Sequence, residues 1–127
     1  MQRKETIAKL HPKLTLQFFT DEKCFGPGVA LLLEKIKENN SIRKAAFSIG
    51  MSYSKAWTII KRAEENLGFE LLISKTGGAD GGGAVLTQKA ERLLSSFRLC
   101  EAELFEYGKN KYIEHFSWIE ENSKLEK

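Results

Sequence analysis

No Asp or Glu lies between Ser41 and Arg62, and cysteine, histidine and long apolar runs are scarce throughout the 127-residue sequence. Each absence excludes something. Cys24 and Cys100 stand far apart with no Cys-x-x-Cys spacing, so neither a zinc site nor a disulfide framework is indicated, and two isolated thiols fit a reducing cytoplasm. His11 and His115 lie in opposite tails, and no Ser/His/Asp or carboxylate pair has local support. No catalytic site, metal-ligand set or cofactor-binding motif is therefore expected. The longest apolar stretch, Val29-Ala-Leu-Leu-Leu33, falls far short of the roughly 20 residues of a membrane span, and no apolar signal core opens the chain. A soluble, unprocessed, cytoplasmic chain with no membrane partner is expected. Its length suits one globular domain and excludes a large multi-domain enzyme.

What is present is an uneven charge. The net charge is only +3, but Arg43, Lys44, Lys55, Lys61 and Arg62 fall within the acid-free segment and make it a candidate polyanion surface. From Glu101 to Lys127 there are seven acids against four bases, which suits a solvated helix and repels nucleic acid. Residues 1–13 carry Arg3, Lys4, Lys9 and Lys13 against Glu5 and read as a basic arm, solvated or touching phosphate.

Hydropathy and turn chemistry predict an α+β chain. Leu14–Phe18 alternates apolar and polar residues, Thr20–Lys23 supplies a turn, and Cys24-Phe25 completes a short N-terminal β-hairpin. Gly26-Pro27-Gly28 opens a first helix with Val29, Leu32, Leu33 and Ile36 on one face, ending near Asn39-Asn40. Ser41 caps a short second helix with Ile42, Ala45, Ala46 and Ile49 inward, and Gly50 is placed to end it. Ser52 or Ser54 caps a third helix to about Asn66, with Ala56, Ile60, Ala63 and Leu67 along one stripe. Phe69–Ile73 and Ala84–Leu86 are β-prone runs flanking the loop Ser74–Gly83. Thr87 caps a last long helix in which Ala90, Leu93, Phe97, Cys100, Leu104 and Tyr107 alternate in spacing of three and four, the pattern of a helix-pairing seam. The expected organisation is an arm over 1–13, a winged helix-turn-helix domain over 14–86, a dimerisation helix over 87–119 and a frayed tail over 120–127.

A short helix with small residues, a glycine turn and a second helix with a basic outer face make a helix-turn-helix unit. In such a unit the start of the second helix enters the major groove. Ser52, Tyr53, Ser54, Lys55 and Thr58 are the candidate base contacts. Arg43, Lys44, Lys61 and Arg62, with Lys75 and Thr76 in the following hairpin, are the candidate phosphate contacts. Trp57 reads as a core or rim aromatic rather than a base-stacking platform. The hairpin makes the unit winged, and Gly77, Gly78, Gly81, Gly82 and Gly83 would let its backbone N–H groups approach an anion. A nucleotide-binding loop would need a Gly-Lys-Ser/Thr ending and a strand-to-helix setting, and both are missing here.

The run Ser41–Trp57, followed by Thr76–Thr87, closely resembles the N-terminal DNA-binding domain of the molybdate-responsive ModE regulators. Ser52, Tyr53, Ala56 and Trp57 match that family's recognition-helix start, and Thr76 to Thr87 its glycine-rich wing. Lys61 to Gly68 is more loosely similar to the LysR-type regulators. The likeness covers about Leu14 to Leu104. It implies a winged helix-turn-helix transcription factor that binds double-stranded DNA at a two-fold operator as a homodimer, paired in part through the long last helix. Full-length ModE regulators carry paired β-barrel repeats that bind molybdate or tungstate, so the expectation here is a single-domain relative without its own oxyanion-sensing domain, signalled through a separate sensor protein or through abundance. The alternatives are a winged-helix protein-interaction module without DNA binding and a small nucleotide- or oxyanion-binding protein using Gly77–Gly83.

Overall fold

The computed structural model describes residues 9–75 and 83–120. Its elements are β1 (Phe18–Phe19), β2 (Lys23–Phe25), α1 (Pro27–Asn39), α2 (Ile42–Ser48), α3 (Tyr53–Leu67), β3 (Leu72–Lys75), β4 (Gly83–Leu86) and α4 (Gln88–Phe116). This is the α+β winged-helix order read from the sequence. Two compact units divide the described residues: one runs from Thr15 to Cys100, and a smaller one joins residues 9–14 with residues 101–120. Among the described residues, no helix is long and apolar enough to cross a membrane.

The larger unit is built on α1. Pro27 occupies the first turn, where a missing N–H costs nothing, and the helix ends as Asn40 turns left-handed with its N–H donated to the Ile36 carbonyl at 2.7 Å. Leu32, Leu33 and Ile36 expose no surface, and burying each such side chain stabilises by about 1.5–3 kcal/mol. Around them pack Ala45 and Ala46 from α2, Ala56, Ile60 and Ala63 from α3, and Leu71 and Ala84 beside the wing.

The first hairpin is shorter than its alternating sequence suggests. Among the described residues, Phe18 and Phe19 alone pair, opposite Phe25 and Lys23, as Thr20 N–H closes a turn on the Glu22 carbonyl at 3.0 Å and no third described strand extends the sheet. Leu14–Gln17 therefore lies outside the strand. In the wing, the strand begins at Leu72 rather than Phe69. The Leu71 and Leu72 N–H groups are taken by the Glu64 carboxylate at 2.8 and 3.3 Å, while the Thr87 hydroxyl donates to the Glu70 carbonyl at 2.8 Å. Side chains thus satisfy the approach to the wing, and the ladder runs from Leu72↔Leu86 to Lys75↔Gly83.

Thr87 also caps α4, accepting the Ala90 N–H at 3.0 Å. The stripe expected to form a pairing seam then divides. Ala90 and Phe97 are buried in the larger unit's own core and Leu93 packs against it, so these positions are corrected from seam to core. The cause is an aromatic cluster: the Phe97 ring meets Phe25 edge-on at 5.0 Å and Phe18 at 5.7 Å. Cys100, Leu104 and Tyr107 remain exposed. In the smaller unit, Leu14 lies against Gly108, where a Cβ would come within 2.6 Å of the leucine methyl.

A fork-to-fork ion pair joins α1 to the first half of α4. Arg98 Nε and Nη2 donate to Glu34 Oε2 and Oε1 at 2.9 and 3.0 Å, and this hydrogen bonding, with the adjacent positive charge, holds the Glu34 carboxyl below its ordinary value. A depressed folded-state value stabilises above the unfolded carboxylate range near about pH 4.3 and is lost as pH falls through the folded value.

Two outcomes follow for urea unfolding. Phe97→Ala should lose about 3–5 kcal/mol of stability, the cost of an emptied aromatic site, whereas a seam residue would leave the folded monomer's stability nearly unchanged. Glu34→Gln should be less stable than the unaltered chain by about 0.5–1 kcal/mol at neutral pH, as befits a half-exposed pair. That difference should vanish on acidification below the folded value; a constant difference at all pH values would disprove the linkage.

Candidate nucleic-acid interface

The helix-turn-helix is assembled from two serine caps, a glycine turn and small buried side chains. Ser41 Oγ accepts the Lys44 N–H at 3.1 Å and starts α2. Ser52 Oγ accepts the Lys55 N–H at 3.1 Å and starts α3. Each cap satisfies one of the N–H groups that a helix start leaves without an internal partner. Between them, Gly50 takes φ +72°, a conformation costly for residues with a Cβ, and Met51 N–H returns to the Ala46 carbonyl at 2.9 Å. Ala45 and Ala46 face inward from α2 and Ala56 and Ala63 from α3, all without exposed surface.

The opposite side of α3 is open. Tyr53, Ser54, Lys55, Thr58, Lys61 and Arg62 are all exposed, as are Arg43 and Lys44 on α2. Ser52 is exposed too, but its hydroxyl oxygen is engaged as the cap. Lys55 makes no ion pair with an acid among the described residues. Lys61 and Arg62 do. Lys61 Nζ lies 3.3 Å from Glu64 Oε1, one turn on, and Arg62 Nε lies 3.4 Å from Glu22 Oε2 in the β1–β2 turn. That turn is also tied to α3 through Thr20 Oγ1, which donates to Asn66 Oδ1 at 2.7 Å. Arg43 is held differently, its guanidinium 4.5 Å from the centre of the Tyr53 ring.

The wing shows one further departure. Lys75 ends β3 with an exposed side chain, but its partner Gly83 belongs to β4 rather than to the loop. A Cβ on Gly83 would stand 2.8 Å from the Asn40 carbonyl oxygen, and that oxygen accepts the Ala84 N–H at 3.1 Å. Gly83 thus allows the close approach of the wing to the end of α1. Thr76, Gly77, Gly78, Gly81 and Gly82 lie outside the described residues.

Two aromatics add to the surface. Trp57 is 45% exposed, a rim residue, with Lys61 Nζ 5.5 Å from its ring centre. Phe47 on α2 is 85% exposed. Its signal in the sequence is that Ile42, Ala45, Ala46 and Ile49 already fill the inward face, which leaves position 47 pointing out. Glu22 and Glu64 carry no such signal as partners of the basic residues, since both lie outside the acid-free segment.

A family model described as bacterial regulatory helix-turn-helix protein, lysR family, matches residues 30–91. That span runs from α1 through the wing into α4, and it contains Arg43, Lys44, Lys55, Lys61, Arg62 and Lys75. The transcriptional regulator ModE of Haemophilus influenzae is 37% identical over 98 residues, 77% of this chain and 36% of the relative. The DNA-binding transcriptional dual regulator ModE of Escherichia coli K12 is 36% identical over 87 residues, 68% of this chain and 31% of the relative. The molybdenum-pterin-binding protein MopB of Rhodobacter capsulatus is 37% identical over 71 residues, 56% of this chain and 26% of the relative.

The chain carries a ModE-like winged-helix domain. It spans about a third of the length of these relatives. Within this ModE-like domain the two serine caps set where α2 and α3 begin, and so where the basic face starts. Ser52→Ala should lower stability by about 0.5–2 kcal/mol in urea unfolding and expose the first N–H groups of α3 to faster hydrogen exchange. Unchanged exchange at Lys55 would show that the cap does not hold the helix start.

Proposed function

We propose that the ModE-like domain makes this chain a sequence-specific, DNA-binding transcriptional regulator that acts in the cytoplasm as a homodimer on a two-fold operator. The observation that carries this is the outer face of α3: exposed hydroxyl and cationic side chains on a capped helix, held by a glycine turn against α2. A polyanion meets Lys55, Lys61 and Arg62 there, with Arg43 and Lys44 on α2 beside them, and the helix is of the kind the major groove admits. The Escherichia coli relative, named as a DNA-binding regulator, supports the same reading.

Roles divide by position. Ser54, Lys55 and Thr58 lie on the exposed side of the first turns of α3 and are the base readers, Lys55 through the acceptors of guanine. Ser52 uses one of its two acceptor lone pairs on the cap and retains its O–H for a phosphate or base edge. Arg43, Lys44, Lys61, Arg62 and Lys75 are phosphate contacts, and for Lys61 and Arg62 contact means exchanging a carboxylate for a phosphate. Pairing between chains falls to exposed apolar side chains of the smaller unit, among them Leu104, Phe105, Tyr107, Ile113 and Phe116, because Ala90 and Phe97 are already used in the core.

Selection of bound fragments from genomic DNA should return a palindromic motif, and affinity for it should fall steeply with salt. Lys61→Ala should weaken binding to all duplexes, and Lys55→Ala should in addition relax base preference, each by about 1–3 kcal/mol at most. Light scattering should show a dimer that Leu104→Asp with Tyr107→Asp converts to a folded monomer. No binding to any duplex at low salt would overturn the reading in favour of a protein-interaction module.

A further inference from the structure

On α2 and α3, Lys61, Arg62 and Arg43 have partners that differ in kind. Lys61 and Arg62 are each held by a carboxylate, which fixes the cation but also neutralises it. Arg43 has no ion pair with an acid among the described residues; its guanidinium lies 4.5 Å over the Tyr53 ring. An aromatic face attracts a cation through its quadrupole, within about 6 Å, without contributing a negative charge. The ring orients Arg43 and leaves its full charge available.

The placement of the pair adds to this. Arg43 is the second residue of α2 and Tyr53 the first of α3, so the stack bridges the two helices across the Gly50 turn. Both side chains are exposed, Tyr53 by 40%. A planar guanidinium placed over a ring face can keep N–H groups for a phosphate, which it can grip with two parallel hydrogen bonds. A lysine in that place would have neither the plane nor the fork.

We propose that Tyr53 is a positioning residue: its ring holds the Arg43 guanidinium as a pre-oriented clamp for one phosphate of the DNA backbone, and the ring itself does not read a base. This rests on the DNA-binding reading above and reassigns Tyr53 from base contact to support of a phosphate contact. The cost of ordering a long arginine side chain is met before DNA arrives, which is what pre-organisation contributes to affinity.

The test uses the full chain, a mixed-sequence duplex and fluorescence anisotropy over a salt series. Arg43→Ala should lower affinity about three- to tenfold per protomer and make the dependence of log affinity on log salt shallower by about 0.9 for each protomer bound, the share of one phosphate, or about 1.8 for the dimer. Tyr53→Leu and Tyr53→Gln should each reproduce most of that loss and the shallower slope. In the Arg43→Ala background they should add nothing further. Tyr53→Phe, which keeps the ring, should keep the slope. Circular dichroism of Tyr53→Phe and Tyr53→Gln separates these effects from unfolding. Additive losses in the double variants overturn the proposal, and so does a Tyr53→Leu chain that keeps its slope but selects a different base from a random duplex library. In both cases DNA binding itself stands. Failure of the unaltered chain to bind any duplex at low salt overturns the proposal together with the reading beneath it.

Discussion

Four buried alanines set the geometry on which the rest of the interface depends. Ala45 and Ala46 on α2 and Ala56 and Ala63 on α3 expose no surface, and each presents only a methyl group to its neighbours. Helices can approach closely only where side chains are this small, and a close-packed core answers an added methylene with strain rather than with accommodation. A larger residue at Ala46 or Ala56 would push α3 away from α2. The Gly50 turn, whose hydrogen bonds return to Ala46 and Phe47, would then no longer close. The outward direction of Ser54, Lys55 and Thr58 is therefore set from beneath, by what the inward positions leave out.

The aromatic cluster plays the complementary part at the other side of the larger unit. Phe18, Phe25 and Phe97 lie within 5.7 Å of one another between ring centres, and the Glu34–Arg98 fork lies one residue beyond Phe97. Together they commit the first half of α4 to its own domain. A heptad-like spacing does not distinguish a helix that pairs with a second chain from one that packs on its own core, since both need an apolar stripe of the same period. The distinction depends on whether the folded chain offers a surface for that stripe. Here the N-terminal hairpin brings Phe18 and Phe25 to Phe97, and the stripe is consumed as far as that residue.

Much of the fold was legible because its signals are local. Ser41, Gly50 and Ser52 announce a cap, a turn and a cap, and Ile42, Ala45 and Ala46 against Ala56, Ile60 and Ala63 give two inward faces. The wing was legible from its β-prone runs and glycines. What escaped was long-range. Gly83 reads as part of a flexible loop, yet its missing side chain makes room for Asn40, whose carbonyl lies 2.8 Å from where a Cβ would stand. Phe69 to Leu71 reads as strand, yet a carboxylate on α3 takes the N–H of Leu71. Leu14 to Gln17 alternates like a strand but has no partner strand to pair with. In each case the deciding group lies elsewhere in the chain, and periodicity carries no trace of it.

The charge of the interface has the same character. An acid-free segment is a statement about sequence, whereas the field a phosphate meets depends on every carboxylate the fold brings near. Among the described residues, Glu22 and Glu64 return from outside. Glu22 comes from the first hairpin to Arg62, and Glu64, one turn along α3, shares itself between Lys61 and the N–H groups at the start of the wing. Pairs so exposed contribute little to stability, about 0–1 kcal/mol each. Their consequence is electrostatic. At the second half of α3, a phosphate must displace a carboxylate before it gains a cation, so net attraction there is small and readily screened by salt. At the first turn of α3, Lys55 has no acid partner among the described residues, and Arg43, on α2, is steadied by the Tyr53 ring. On the proposed reading the attraction is thus concentrated where the N-terminal turns of α3 would enter a groove, with Lys55 placed to meet a base and Arg43 a phosphate.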